Sequence, residues 1–301
     1  MQDYLYVSFF LGHERGDEAR RLLADSNLLT DVALDQLGSM HTGVRLRLPA
    51  EDPRLEPLLE RLRERGVKPL TRVDRVHTKS ELDAADWLVL RIATAGLYGG
   101  VDYGQVYDFG HACRTCGAGA VPVAPLLAEL GAMGQKDIDH LVYEARLIVT
   151  ARVATGLTGL TGFEIQPVKT RRRPPDARFG WLKVAGYLPK LDSSTTGYSA
   201  IDVCPTCGRS GHYRDLHAPE APVYASFPSD ACDFNHTFEY FGDWRQICHP
   251  SQARLVGGGA GIVVSQRARK TLEALGVRRL VWVAVACRPT SASPDAPDVG
   301  A

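Results

Sequence analysis

The sequence has no excess charge of either sign: 35 lysines and arginines stand against 35 aspartates and glutamates in 301 residues. A dedicated nucleic-acid or membrane-surface binder carries a basic excess, so this balance argues against both roles, although it leaves room for a local basic patch. No stretch approaches the roughly 20 uncharged apolar residues that a membrane-crossing helix needs. The start, MQDYLYVSFFLGHERGDEARR, has neither a positive leading region nor an apolar run long enough for a secretion signal, and the expected location is cytoplasmic. Cysteine is sparse and odd in number, seven in all, which suits a reducing compartment better than a disulfide scaffold. The usual catalytic signatures are missing as well. There is no HExxH, no Gly-x-Ser-x-Gly elbow and no convincing nucleophile–base pairing. GGGAG (257–261) lacks the Lys-Ser/Thr of a phosphate loop and the spacing of a dinucleotide fingerprint, so it reads as a turn ahead of the strand IVVS. Catalysis therefore has no positive support, and a non-enzymatic protein is expected.

What is present, over about residues 1–100, is an alternation of strand and helix patterns. YLYVSFF is a β-rich run. From Asp17, DEARRLLADSNLLTDVALDQL predicts a helix with Leu22, Leu23, Leu29, Val32 and Ala33 near one face. TGVRLRLP alternates Val44, Leu46 and Leu48 with Arg45 and Arg47, a half-buried strand. Asp52 can cap a helix that opens at Pro53, carries Leu55, Leu58, Leu59 and Leu62 as its apolar stripe and stops at Gly66. KPLTRVDRV follows as a strand, Thr78 and Glu81 have capping-box spacing before a short helix, and DWLVLRI closes the unit as a buried strand. From Gly96 the chain turns rich in glycine and tyrosine, which places a boundary near residue 108. The expected fold class is α+β. An N-terminal α/β unit spans 1–108, a zinc-knuckle-containing α+β domain with a duplicated strand-helix-strand unit spans 109–287, and a disordered tail rich in Pro, Ser, Ala and Asp spans 288–301.

The duplication is read from two segments. LIVTARVATGLTGLTGFEIQPV (147–168) and IVVSQRARKTLEALGVRRLVWVAV (262–285) both read as strand, hydroxyl residue, Arg two further on, helix, turn, strand. Thr150 matches Ser265 at the place of a helix N-cap, Arg152 matches Arg267, and Gly276 stands where a helix ends. Each copy lies downstream of a Cys-x-x-Cys-Gly.

Those two motifs, CRTCG (113–117) and CPTCG (204–208), carry the chemistry. A CxxC turn puts two thiolates on one side of the chain, and the following glycine permits the positive φ that lets backbone amides face sulfur. Together they supply the four ligands of a structural zinc site: Cys113, Cys116, Cys204 and Cys207. The spacing also admits two separate sites completed by His111 and by His212 or His217, a redox pair, or plain thiols. One shared zinc is the favoured expectation. Cys232, Cys248 and Cys287 lack pairing spacing and are expected as small buried residues. FNHTFEYFGDW (234–244) gathers aromatics with His236, Glu239 and Asp243 and is expected as core and surface loop rather than a ligand wall. KTRRRPP (169–175) is expected as a solvated loop.

The paired CxxCG motifs, with PDARFGWL (175–182) and the C-terminal strand-Ser-x-Arg-helix-strand, resemble the double-CxxCG motif proteins of myxobacteria and their relatives. Some of these are named as immunity proteins for contact-dependent swarming-inhibition toxins. The resemblance covers roughly residues 105–287 and leaves the N-terminal unit outside it, since many members have their first CxxCG close to the start. It implies a zinc-binding protein that neutralises a cognate protein toxin by binding it, with the four cysteines as ligands and no catalytic residues. The alternative expectation is a zinc-ribbon nucleic-acid binder in which Arg171, Arg172 and Arg173 touch phosphate.

Overall fold

The computed structural model describes residues 2–12, 16–28, 32–37, 41–94, 96–142, 144, 146–195, 203–209, 211–212, 222–241, 246–247, 255–256 and 259–288. The chain divides into two compact units, Met1–Lys79 and Ser80–Ala301. Both strands and helices are present, with sheet predominating, an α+β architecture.

The first unit runs β1 (Gln2–Gly12), α1 (Gly16–Asp25), β2 (Val32–Leu37), β3 (His41–Pro49), α2 (Leu55–Glu64), β4 (Leu70–Val76). Its sheet has the order β2-β3-β1-β4 with every pair antiparallel, the split βαββαβ arrangement of ferredoxin-like units. The period of two in β3 works as expected: Val44, Leu46 and Leu48 are buried while Arg45 and Arg47 are exposed. Val7 and Phe9 of β1 join them, and Leu22 and Leu23 of α1 with Leu55, Leu58 and Leu62 of α2 cover that face. Gly66, at φ 66°, ends α2 as expected: its N–H bonds to Arg63 O at 2.9 Å and that of Val67 to Leu62 O at 2.9 Å, a Schellman closure. Asp52 does not cap α2 directly; its carboxylate accepts from the backbone N–H and the guanidinium of Arg54, the N-cap position.

The long helix expected from Asp17 is instead a helix and a strand. α1 stops at Asp25 because Asn27 takes the left-handed conformation, φ 56°, and closes the helix with the same double bond pattern: Asn27 N–H to Ala24 O, 2.9 Å, and Leu28 N–H to Leu23 O, 2.8 Å. Val32 and Ala33 then lie in β2 paired with β3; Leu29 is outside the described residues.

In the second unit α3 (Lys79–Ala84) leads into β5 (Trp87–Ile92), then β6 (Tyr107–Asp108), β7 (Val121–Pro122), β8 (Leu126–Leu127), β9 (Ile138–His140), β10 (Leu147–Thr150), α4 (Ala151–Gly156), β11 (Phe163–Lys169) and β12 (Phe179–Val184). It continues with β13 (Gly211–His212), β14 (Val223–Tyr224), β15 (Phe234–Phe241), β16 (Gln246–Ile247), β17 (Leu255–Val256), β18 (Gly259–Ser265), α5 (Gln266–Ala274), β19 (Leu280–Ala284) and β20 (Ala286–Cys287). Two five-stranded sheets form, ordered β8-β11-β12-β10-β9 and β13-β15-β18-β5-β19. The strand Trp87–Ile92, expected to close the first unit, lies in the second sheet, with Leu90 opposite Ile262 on one side and Trp282 on the other. The division accordingly falls at Lys79/Ser80 rather than near residue 108.

The two sheets repeat one pattern. β12 lies between β10 and β11, the strands flanking α4, with Thr150 opposite Phe179 and Leu182 opposite both Leu147 and Ile165. β5 lies between β18 and β19, the strands flanking α5, with Ser265 opposite Trp87 and Leu90 opposite both Ile262 and Trp282. Thr150 caps α4 by accepting from Val153 N–H, and Ser265 caps α5 by accepting from Ala268 N–H. Arg152 pairs with Asp137 and Arg267 with Asp233, the residues whose carbonyls accept from Thr150 N–H and Ser265 N–H. One core, including Leu88, Val149, Val153, Leu182, Val264 and Leu272, takes side chains from both sheets and both helices. The tail beyond Arg288 lies outside the described residues.

Candidate metal centre

Each CxxCG is a tight turn closed twice by its own backbone. In the first, Gly117 N–H bonds to Cys113 O at 2.7 Å and Cys113 N–H to Ala118 O at 2.8 Å. In the second, Gly208 N–H bonds to Cys204 O and Cys204 N–H to Arg209 O, both at 2.8 Å. Gly117 and Gly208 sit at φ 75° and 68°, the left-handed region that the sequence predicts for the position after each second cysteine. The first turn is held at the tip of the β6–β7 hairpin; the second leads into β13, which runs parallel beside the end of β15.

These turns meet face to face. Cys113, Cys116, Cys204 and Cys207 place their sulfurs within 4.8 Å of one another. Cys113 Sγ lies 3.8 Å from Cys204 Sγ, and Cys116 Sγ lies 3.6 Å from Cys207 Sγ, while Thr115 Oγ1 meets Thr206 Oγ1 at 2.6 Å. Each partner stands 91 residues from its counterpart, so the knuckles pair position by position. A tetrahedron of thiolates about 2.3 Å from a zinc ion has edges of about 3.8 Å. The two facing pairs therefore already have the separation that one tetrahedral ion requires, the whole set lies within 4.8 Å, and both pairs are far too distant for disulfides. Cys116 and Cys204 are buried; Cys113 and Cys207 are half-buried.

The electrostatics are those of anionic ligands crowded together. Burial opposes ionisation of Cys113, but backbone N–H groups of Cys116 and Thr115 and the neighbouring sulfurs outweigh it and bring this thiol down to about 6. Burial pushes Cys116 and Cys207 up, against the N–H groups of Ala118 and Arg209 that face their sulfurs. A divalent cation held there would supply the charge that lets all the sulfurs ionise together.

Of the expected residues, then, the chain brings all four cysteines to one place. No histidine joins the cluster among the described residues: His111 is exposed, and the His212 side chain and His217 lie outside them. Cys232 is half-buried and Cys287 exposed, so neither is the buried residue expected; Cys248 is not among the described residues. FNHTFEYFGDW supplies β15, whose Phe234 and Glu239 are buried; Asp243 is outside the described residues.

A set of aromatic residues gathered on Arg209 was not assigned to the site from the sequence, although two of them lie in the aromatic run FNHTFEYFGDW. The guanidinium of Arg209, next after the second CxxCG, stands over the rings of Tyr187, Phe238 and Tyr240 at 4.7, 5.0 and 5.6 Å, and its Nε donates to Phe238 O at 3.2 Å. Tyr240 OH accepts from Gly119 N–H at 2.9 Å. Tyr187 and Phe238 lie distant from the CxxCG motif in sequence, and Tyr187 reaches β15 through a bridge to His236, so no spacing to the cysteines announces them. Comparison with protein-family models, curated proteins and solved structures finds no match for this chain.

Proposed function

We propose that the second unit is a zinc-stapled, non-enzymatic binding module that acts as an immunity protein, covering and neutralising a cognate protein toxin. The observation that carries the metal is the convergence of four cysteine sulfurs, from two distant knuckles, at the spacing of a tetrahedral ion. Cys113, Cys116, Cys204 and Cys207 would hold it. A zinc saturated by four thiolates has no open position for water or substrate, which makes its contribution structural: it fixes two remote segments and preorganises the surface between them. The toxin-neutralising role rests on the resemblance of the paired CxxCG motifs to the double-CxxCG proteins.

The second unit is also, in this reading, a duplication. Each copy runs strand, CxxCG knuckle, strand, strand, capped helix, strand, beginning at β5 and at β12, and each lends its first strand to the middle of the other's sheet. The matching registers, caps and Arg–Asp pairs support it. Such an exchange places the two knuckles as a facing pair, which accounts for one shared site rather than two.

Co-expression tests the role. The full chain should rescue growth of cells producing a toxic protein encoded beside it, and Cys113→Ser should weaken that rescue; failure against every neighbouring gene product would remove the immunity reading and leave the metal site untouched. A nucleic-acid-binding reading keeps one observation in its favour: Arg171, Arg172 and Arg173 are all exposed and make no ion pair among the described residues. Affinity for DNA or RNA that falls steeply with salt would favour it.

A further inference from the structure

We propose that Arg209 and Tyr240 are positioning residues of the metal centre, locking both knuckles to β15 so that the two cysteine pairs stay at the spacing of a single ion. The inference rests on the four-thiolate site proposed above.

The two knuckles match position by position, but their surroundings do not. After CPTCG comes Arg209; after CRTCG comes Ala118, which has no side chain with which to anchor its turn. Arg209 is fixed from several directions. Its backbone N–H faces Cys207 Sγ, its carbonyl closes the second knuckle through Cys204 N–H, its Nε donates to Phe238 O, and its guanidinium is surrounded by Tyr187, Phe238 and Tyr240. A guanidinium over aromatic faces is held by cation–π attraction that desolvation strengthens. The second knuckle is thereby tied to the strand independently of any metal.

The first knuckle borrows the same anchor. Gly119, two residues after Gly117, donates its N–H to Tyr240 OH, and Arg209 Nη1 lies 3.9 Å from the point where a Gly119 Cβ would stand. Tyr240 thus touches both sides: its ring takes part in the clamp on Arg209, and its hydroxyl receives the backbone of the opposite turn. Tyr187 OH, 3.3 Å from Tyr240 OH, braces that hydroxyl. Four thiolates around a dication carry a net negative charge, and a guanidinium held between the knuckles offsets it. Groups that orient ligands in this way are as much part of a metal site as the ligands themselves.

The test uses the full-length protein, with Co2+ as a spectroscopic probe and zinc affinity measured by competition with a chromophoric chelator. Wild type should show the intense sulfur-to-cobalt charge-transfer band of a four-thiolate site. Tyr240→Phe and Arg209→Gln should keep that band, shift the d–d envelope and bind zinc about 10–100-fold more weakly, with Arg209→Lys in between because it restores charge but not the fork. Melting of the metal-free forms separates positioning from folding: variants that melt lower without metal yet bind zinc within about threefold of wild type overturn the proposal. A wild type lacking the charge-transfer band removes the four-thiolate site itself, and the positioning role with it. Unchanged affinities beside an intact band remove the positioning role alone.

Discussion

Asp233 is 5% exposed, yet the structure holds it as an anion. Burial by itself would raise its carboxyl; the hydrogen bonds from Arg267, Ser265 and Thr161 outweigh that cost and hold it at about 2. A carboxyl near 3.9 in the unfolded chain and near 2 in the folded one contributes about 2–3 kcal/mol of stability, fully present above pH ~4 and lost as pH falls through ~2. Asp233→Asn should therefore lower stability by about 2–3 kcal/mol at neutral pH and flatten the acid limb between pH ~4 and ~2, as read by urea titrations across that range. A variant with the wild-type acid limb would show that the carboxylate is not held by these partners. Single residues differed in how plainly they spoke. The cysteines and their glycines were legible because a CxxCG turn works through adjacent backbone, which sequence spacing specifies. Arg209 was not, since its meaning comes from rings on other segments.

Elements whose ends are set locally were readable. Gly66 and Gly276 close their helices in the left-handed conformation, and Thr150 and Ser265 open theirs as caps. Replacing a cap hydroxyl costs about 1 kcal/mol, so Thr150→Ala should destabilise by that amount in chemical denaturation. Ser265→Ala should cost more, because Ser265 Oγ also donates to Asp233 at 2.6 Å and its loss removes a partner from a buried carboxylate. Equal losses would mean that the two caps differ less than their surroundings suggest. The segment from Asp17 misled because Val32 and Ala33 fit a helical stripe as well as a strand, and the stop at Asn27 is a residue that tolerates left-handed φ rather than demanding it. The placement of Trp87–Ile92 was illegible for a different reason. Its apolar pattern identifies a buried strand but says nothing of its partners, and those partners, β18 and β19, stand at the far end of the chain.

For the second unit as a body, the proposed ion is a crosslink between segments 91 residues apart. In the chain-entropy picture a link across a loop of that size restricts the unfolded state by about 4–5 kcal/mol. Chelation should thus lower the melting transition of this unit by roughly 10 °C or more, at about 2–4 °C per kcal/mol for a body of this size, while a transition belonging to the first unit stays in place. With one ion shared by both knuckles, as proposed, Cys113→Ser and Cys204→Ser should reduce zinc content and melting temperature equally; damage from only one of them would point to separate sites. The most direct measurement is zinc X-ray absorption on the purified full chain, with the metal counted by elemental analysis. The account predicts one zinc per chain with four sulfur neighbours at about 2.3 Å. A protein without bound zinc, or a zinc whose neighbours include nitrogen or oxygen, would contradict it.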